Sequence, residues 1–234
     1  MEADGQKKRR QLSKAAWRDI SELLSFDSEV LIFDVGANEG QTVKGLRKWF
    51  PESRIFSFEP QQGPFEALSS SVADDPGVRV VQLGLSDSSG ELEFAVGRNS
   101  VTGRVLVGNA TSRKGESSFR IPVMRGDDFC RREGVERINV LKIDAEGHDL
   151  KVLVGFVEML RDQRIDMVQV EAGVYKGNGT HAPFLDIWKF LDGVGYHVFG
   201  VYDQVLEFKE NVSVLRRVNP VFISDHFARK NPVK

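Results

Sequence analysis

The sequence predicts an α/β fold in which a mostly parallel sheet carries helices on both faces. Short apolar runs such as residues 30–35, 138–143 and 165–170 are typical of parallel strands buried on both faces. Segments with helical spacing alternate with these runs, which favours strand–helix–strand units. The 234 residues suit one large α/β domain. We therefore expect a single sheet with a helical layer on each side.

The elements follow in order along the chain. The predicted strands are 30–35, 54–58, 78–83, 138–143, 165–170, 196–202 and 218–223. The predicted helices are 13–24, 40–50, 65–73, 127–133, 150–160 and 184–191. Alternating residues at 91–96 and 118–124 predict a hairpin, and residues 97–115, rich in Gly, Asn, Ser and Thr, predict a mobile loop over the site.

These elements divide the chain into three parts. Residues 1–27 form a tail and a leading helix, residues 28–228 form the domain with a loop and hairpin insert around 90–124, and residues 229–234 form a C-terminal tail. The sequence does not specify the oligomeric state, and a homo-oligomer is compatible with it.

Composition and charge narrow the class of protein. The net charge is −2 and neither half of the chain is strongly basic, so a nucleic-acid partner is not expected. The single cysteine, Cys130, excludes an intramolecular disulfide. No apolar run approaches the ~20 residues of a membrane span, and no secretory signal is evident at the start, so we expect a cytoplasmic protein.

A glycine-containing loop follows the first predicted strand. Gly36 and Gly40 flank Asn38 there, and glycine allows a positive φ and a close approach of backbone to a ligand. The pattern is not G-x-G-x-x-G, which argues against a dinucleotide. Glu59 ends the next strand about twenty residues later, where a carboxylate can accept hydrogen bonds from ribose hydroxyls. Loop and acid together predict a nucleoside-bearing cofactor.

Four segments, in order, resemble one known family. FDVGANEGQT, FSFEP, GLSDSSGELEF and LKIDAEGHDLKVLVG are similar to the FkbM-type S-adenosylmethionine-dependent methyltransferases, over residues 30–171. The resemblance implies the Rossmann-like class I methyltransferase fold, with a seven-stranded sheet whose last strand is antiparallel. It also implies O-methylation of sugars, glycolipids or similar metabolites.

The resemblance implies cofactor-binding residues at matching positions. The expected contacts are Asp34, Gly36, Ala37, Asn38 and Gly40 around the methionine part, Glu59 on the ribose, Pro60 beside the adenine, Leu85, Ser86 and Asp87 around the adenine ring, and Asp144. The sequence departs from the family at Glu39, a position that is usually apolar, and at Asp149, where Glu is commoner.

A cluster of acids and a histidine follows the strand at 138–143. Asp144, Glu146 and His148 leave the sheet where ligands of open α/β folds bind, which makes them the candidate catalytic residues. A base is useful because an alcohol keeps its proton near neutral pH, and His148 has the best intrinsic pKa for it. Asp144 and Glu171, which end adjacent strands, could instead hold Mg²⁺. Each of these residues could also be structural.

Other functions remain open at this point. An N-methyltransferase is disfavoured because Asp-Ala-Glu-Gly at 144–147 contains no proline or aromatic residue. A nicotinamide-dependent reductase is disfavoured by the missing dinucleotide pattern. A catalytically silent cofactor-binding module is the third alternative. The partner of the leading hypothesis is a small-molecule or glycan acceptor, chosen by loops 97–117 and 172–183.

Overall fold

The computed structural model describes residues 12, 15–25, 27, 29–97, 103–105, 116–175, 180–209 and 212–231. The helices within them are α1 (Ala16–Leu23), α2 (Gln41–Arg47), α3 (Gln62–Ser71), α4 (Gly126–Glu133), α5 (Asp149–Gly155), α6 (Val157–Arg161), α7 (Phe184–Asp192) and α8 (Asp225–Lys230). The strands are β1 (Leu31–Val35), β2 (Arg54–Phe58), β3 (Val78–Val81), β4 (Gly84–Ser86), β5 (Gly90–Gly97), β6 (Gly103–Val105), β7 (Glu116–Arg125), β8 (Ile138–Ile143), β9 (Ile165–Val170), β10 (Ala172–Gly173), β11 (Tyr196–Lys209) and β12 (Val212–Ser224).

The central sheet has the predicted mostly parallel topology. Its strands lie in the order β3-β2-β1-β8-β9-β12, and β11 pairs with the far side of β12. The first five run parallel, whereas β12 is antiparallel to both β9 and β11. These are the seven predicted strands, with the last strand antiparallel as expected. The sequence did not predict the short strand β10, which pairs with β12.

Apolar residues on both faces of this sheet explain the two helical layers. Phe33 and Phe56 pack on one face with buried residues of α4 to α7, and Ile32 and Ile55 pack on the other with α1, α2, α3 and α8. Because successive side chains of a strand point to opposite faces, a strand with apolar residues on both faces must be covered on both sides. The expected three-layer arrangement is therefore confirmed.

The segment between β3 and α4 forms a second, four-stranded sheet. Its order is β4-β7-β5-β6, and β5 pairs antiparallel with β7 as the predicted hairpin. The prediction of a loop over residues 97–115 was wrong at Gly103–Val105, which pairs with β5 as β6. Residues 98–102 and 106–115 of that loop lie outside the described residues. The strand predicted over 78–83 ends at Val81. The chain then leaves the central sheet, and Gly84–Ser86 pairs with β7 in the second sheet.

Several element boundaries differ from the prediction. The single helix predicted over 150–160 is two helices, interrupted at Phe156, whose φ and ψ are −104° and 17°. The ring of Phe156 is fully buried against Phe33, so packing overrides the helical spacing here. Strands β11 and β12 extend beyond the predicted ends as a long hairpin. Among the described residues, no helix is both long and apolar enough to cross a membrane.

Candidate active site

The carboxyl ends of four central strands bring the predicted site residues to one edge of the sheet. Val35 of β1 is in register with Phe58 of β2 and with Ile143 of β8, and Ile143 is in register with Val170 of β9. The residues that follow these strand ends are therefore neighbours: Gly36, Glu59, Asp144 and Glu171. Ligands of open α/β sheets bind at this edge.

The glycine loop lies against the end of β8. Gly36 has φ of 74°, and a Cβ built there would lie 1.9 Å from the backbone oxygen of Asp144. The backbone N–H groups of Gly36 and Ala37 both donate to the Phe58 carbonyl, each at 3.0 Å. Asn38 also has a positive φ, 48°. Glycine at position 36 thus allows a tight turn that no larger residue would fit.

Glu59 is buried beside this loop. Its Oε2 accepts a hydrogen bond from the Asn38 backbone N–H at 3.0 Å, and its Oε1 accepts one from the Gln61 N–H at 2.9 Å. Burial raises the pKa of Glu59, while these two hydrogen bonds oppose that rise. A carboxylate has about four lone-pair sites, so both oxygens retain the capacity to accept from a ligand.

A tight turn carries the candidate catalytic residues from β8 into α5. Asp149 is buried and accepts backbone hydrogen bonds from Ala145 at 2.9 Å and from Gly147 at 3.0 Å. Glu146 and Gly147 both have a positive φ, 49° and 91°. Asp149, noticed in the sequence only as a departure from the family, therefore holds the shape of this turn.

Burial shifts the pKa values of two side chains in the turn. Desolvation, together with the charge of Asp144, raises the pKa of Glu146. Desolvation lowers the pKa of His148 to about 4, so the imidazole is neutral near pH 7. The His148 Nε2 lies 2.9 Å from the Ser86 Oγ. Within the described residues, Glu146 has no hydrogen-bond partner for its carboxylate.

A buried lysine lies beneath the turn. The Lys142 Nζ is 2.9 Å from Asp34 Oδ1 and 3.8 Å from Asp144 Oδ2. Burial alone would lower the pKa of Lys142, but the charges of Asp34 and Asp144 outweigh it and raise that pKa. Asp34 of β1 is completely buried, and its ion pair with Lys142 of β8 links the ends of these two strands.

Glu171 is engaged by other side chains. Its Oε2 lies 2.8 Å from the His181 Nε2, and its Oε1 is ion-paired with Arg217. The described residues contain no group of three or more His, Cys, Asp or Glu side chains that could hold a metal ion. The interpretation of Asp144 and Glu171 as a Mg²⁺ site is therefore not supported, because a cation would have to displace Arg217.

An open cavity of about 970 Å³, its mouth included, occupies this edge of the sheet. Nine of the predicted site residues line it: Gly36, Ala37, Asn38, Glu59, Pro60, Leu85, Asp144, Glu146 and His148. Five others do not line it: Asp34, Gly40, Ser86, Asp87 and Glu171.

The second sheet supplies a wall of the cavity that the sequence did not reveal. Leu92 and Phe94 of β5 and Ile121 and Val123 of β7 line it. The alternation in residues 91–96 does place Leu92 and Phe94 on one face of a strand. It does not show what that face covers. Gln41, Thr42, Gln61 and Lys142 also line the cavity and were not predicted as site residues.

Comparison with known proteins identifies the family. The methyltransferase FkbM domain matches residues 34–198. The chain belongs to the FkbM methyltransferase family. Two curated relatives are a hexuronic acid methyltransferase, AglP, of Haloferax volcanii and a 2-O-methyltransferase, NoeI, of Sinorhizobium fredii. AglP is 30% identical over 67% of this chain and 63% of its own length, and NoeI is 23% identical over 81% and 83%.

The chain thus spans slightly less than two thirds of AglP. Among solved structures, a putative rRNA methylase from Clostridium thermocellum superposes with a TM-score of 0.52 at 11% identity, covering 92% of this chain and 97% of that one. This likeness concerns the fold alone, and it agrees with the Rossmann-like class I methyltransferase architecture of the FkbM family.

Proposed function

We propose that this FkbM-family chain transfers a methyl group from S-adenosylmethionine to a hydroxyl oxygen of a sugar, a glycolipid or a similar metabolite. The observation that carries the proposal is the convergence of Gly36, Glu59 and Glu146 on one cavity at the carboxyl edge of the sheet. The cavity combines a nucleoside-type subsite with a partly buried base.

The residues around the glycine loop fit the cofactor. The Oδ1 of Asn38 is buried and has no hydrogen-bond partner among the described residues, which suits a donor group of a ligand. Glu59 would accept the ribose hydroxyls with its remaining lone pairs. Gly36 and Ala37 would pass along the methionine part, while Pro60 and Leu85 would contact the adenine. Asp34 and Gly40 support this loop without lining the cavity.

Glu146 is the residue best suited to accept the acceptor's proton. The cofactor supplies an activated methyl group and a neutral thioether leaving group. The protein must align the acceptor oxygen and take up its proton as the new carbon–oxygen bond forms. Glu146 lines the cavity and has a raised pKa, whereas His148 is a weak base with a pKa of about 4. Asp144 lies near the Lys142 ammonium and would orient the methionine part.

The relatives support a hydroxylated, sugar-related acceptor. One is named a hexuronic acid methyltransferase and the other a 2-O-methyltransferase. An alcohol acceptor also explains why a base lies in the cavity, since an amine that is already neutral would not need one.

Calorimetric titration tests the cofactor half of the proposal. The wild-type chain should bind S-adenosylmethionine and S-adenosylhomocysteine, and Glu59→Gln should weaken binding roughly 10- to 100-fold, because charged hydrogen bonds contribute about 1.5–3 kcal/mol. Glu93→Gln, an exposed carboxylate on β5, is the matched control and should bind like the wild type. Absence of binding to the wild type would overturn the proposal.

Transfer of a labelled methyl group tests the acceptor half. Free sugars, uronic acids and glycolipids are offered with labelled cofactor, and the linkage in the product is identified by mass spectrometry after mild acid and base treatment. A methyl ether supports the proposal. A methylamine product would indicate the N-methyltransferase alternative, and cofactor binding without transfer to any acceptor would favour a catalytically silent module.

A further inference from the structure

A chain of polar contacts connects helix α5 to the short strand β4. The His148 Nε2 lies 2.9 Å from the Ser86 Oγ, and the Ser86 Oγ donates to the Asp87 Oδ1 at 3.1 Å. The other oxygen of Asp87 is ion-paired with Lys151, one turn along α5 from His148. Ser86 is completely buried, so water does not compete for its hydroxyl.

The charge of Asp87 fixes the direction of these hydrogen bonds. Burial alone would raise the pKa of Asp87, but the hydrogen bonds from Lys151 and Ser86 together hold it below its ordinary value. The ionised carboxylate can only accept. Ser86 therefore gives its single proton to Asp87, and the lone pairs of its oxygen are left to face His148.

The same reasoning assigns the proton on His148. Because the Ser86 oxygen acts as the acceptor, the His148 Nε2 must carry the hydrogen. Burial keeps this imidazole neutral, and a neutral imidazole holds only one proton. The Nδ1 is then an unprotonated acceptor. Within the described residues, no group donates a hydrogen bond to it.

His148 lines the cavity and is hydrogen-bonded to strand β4. Its ring contacts Ser86 of β4, and the neighbouring Gly84 and Leu85 line the cavity together with the wall from the second sheet, Leu92, Phe94, Ile121 and Val123. Such a wall suits a flat ring system, and an acceptor among the lining residues suits a donor on that ring. Glu59, which is placed to hold a ribose, lines the same cavity.

We infer that His148 is a cofactor-binding residue whose Nδ1 accepts a hydrogen bond from the exocyclic amine of the adenine, with Ser86 and Asp87 as positioning residues that hold its proton on Nε2. The inference rests on the proposed use of S-adenosylmethionine. It assigns His148 to recognition of the base, and it leaves proton transfer to Glu146.

Nitrogen-15 NMR of the histidine-labelled wild-type protein tests the assignment of the proton directly. We expect the Nε2–H tautomer of His148 at pH 7, and we expect Ser86→Ala to shift its ring nitrogen resonances. An Nδ1–H tautomer or an imidazolium in the wild type would overturn the inference. The tautomer in the wild-type protein is measured without any variant.

Calorimetry with two ligands tests the recognition of the amine. S-Inosylhomocysteine carries a carbonyl oxygen where S-adenosylhomocysteine carries the amine. The wild type should prefer the amine ligand about tenfold, the value of one good hydrogen bond. In His148→Gln the amide can still reach Ser86 but offers no acceptor at the Nδ1 position, so the preference should fall to about twofold or less. His148→Asn, which places an acceptor near that position, should retain more of it.

The outcomes separate the inference from the proposed function. If the wild type binds neither ligand, the proposed function and the inference both fail. If it binds S-adenosylhomocysteine and His148→Gln keeps the full preference, only the inference fails. Circular dichroism of each variant establishes that a changed preference does not come from unfolding.

Discussion

At the scale of single residues, Glu146 and His148 lie two positions apart, and burial changes their pKa values in opposite directions. The carboxyl group becomes a stronger base and the imidazole a weaker one, since burial disfavours the charged form of each. The sequence suggested His148 as the base because of its intrinsic pKa. That choice could not have been improved from the sequence, because burial depends on β4 and on the second sheet.

Glu146→Gln should therefore lower kcat by about 10²- to 10⁴-fold with little change in cofactor affinity. A carboxylate base works only when ionised, so the wild-type rate should be full above the raised pKa of Glu146 and should fall as the pH drops through it. The pH dependence of kcat measures this. His148→Gln is the control and should keep the acidic limb. Loss of that limb in His148→Gln, with its retention in Glu146→Gln, would reverse the two assignments.

At the scale of elements, the turn from β1 to α2 depends on one glycine. Gly36→Ala would force a side chain into a positive φ and against the Asp144 carbonyl. We expect it to lower the free energy of unfolding by about 1–3 kcal/mol or more and to abolish cofactor binding. Gly45→Ala is the matched control, because nothing lies within 4 Å of its added Cβ inside α2.

The control Gly45→Ala should raise the free energy of unfolding by up to ~1 kcal/mol, since alanine favours a helix more than glycine does. Urea denaturation of both variants measures the two effects. Equal stability of Gly36→Ala and the wild type would contradict the close approach of this turn to β8.

The ring of Phe129 in helix α4 packs against aromatic side chains of the central sheet. The Phe129 ring centroid lies 4.8 Å from that of Phe58 and 5.7 Å from that of Phe56. Phe129→Ala should lower the free energy of unfolding by about 3–5 kcal/mol through the cavity it leaves. Phe119→Ala, whose side chain on β7 is 41% exposed, should cost less than ~1 kcal/mol in the same denaturation experiment. Similar losses for both would contradict this account of the core.

At the scale of the whole molecule, the parts that the sequence predicted are those governed by local patterns. Buried strands and their order follow from apolar runs alternating with helical spacing, and the acids at strand ends follow from the topology. The wall formed by Leu92, Phe94, Ile121 and Val123 depends instead on how a second sheet packs over the first. The Arg217 that engages Glu171 comes from a strand 46 residues away, which no local pattern records.

The same geometry predicts which ligands stabilise the folded chain. A ligand that binds only the native state at about 100 times its Kd adds ~2.7 kcal/mol, which for a chain of this size corresponds to a rise in Tm of about 5–10 °C. S-Adenosylhomocysteine should produce this rise, and Glu59→Gln should reduce it at the same concentration. Magnesium chloride should leave Tm unchanged, because Arg217 and His181 already engage the Glu171 carboxylate. Thermal unfolding measures all three effects. A rise with magnesium, or methyl transfer that is lost in the presence of EDTA, would restore the metal-site hypothesis for Asp144 and Glu171.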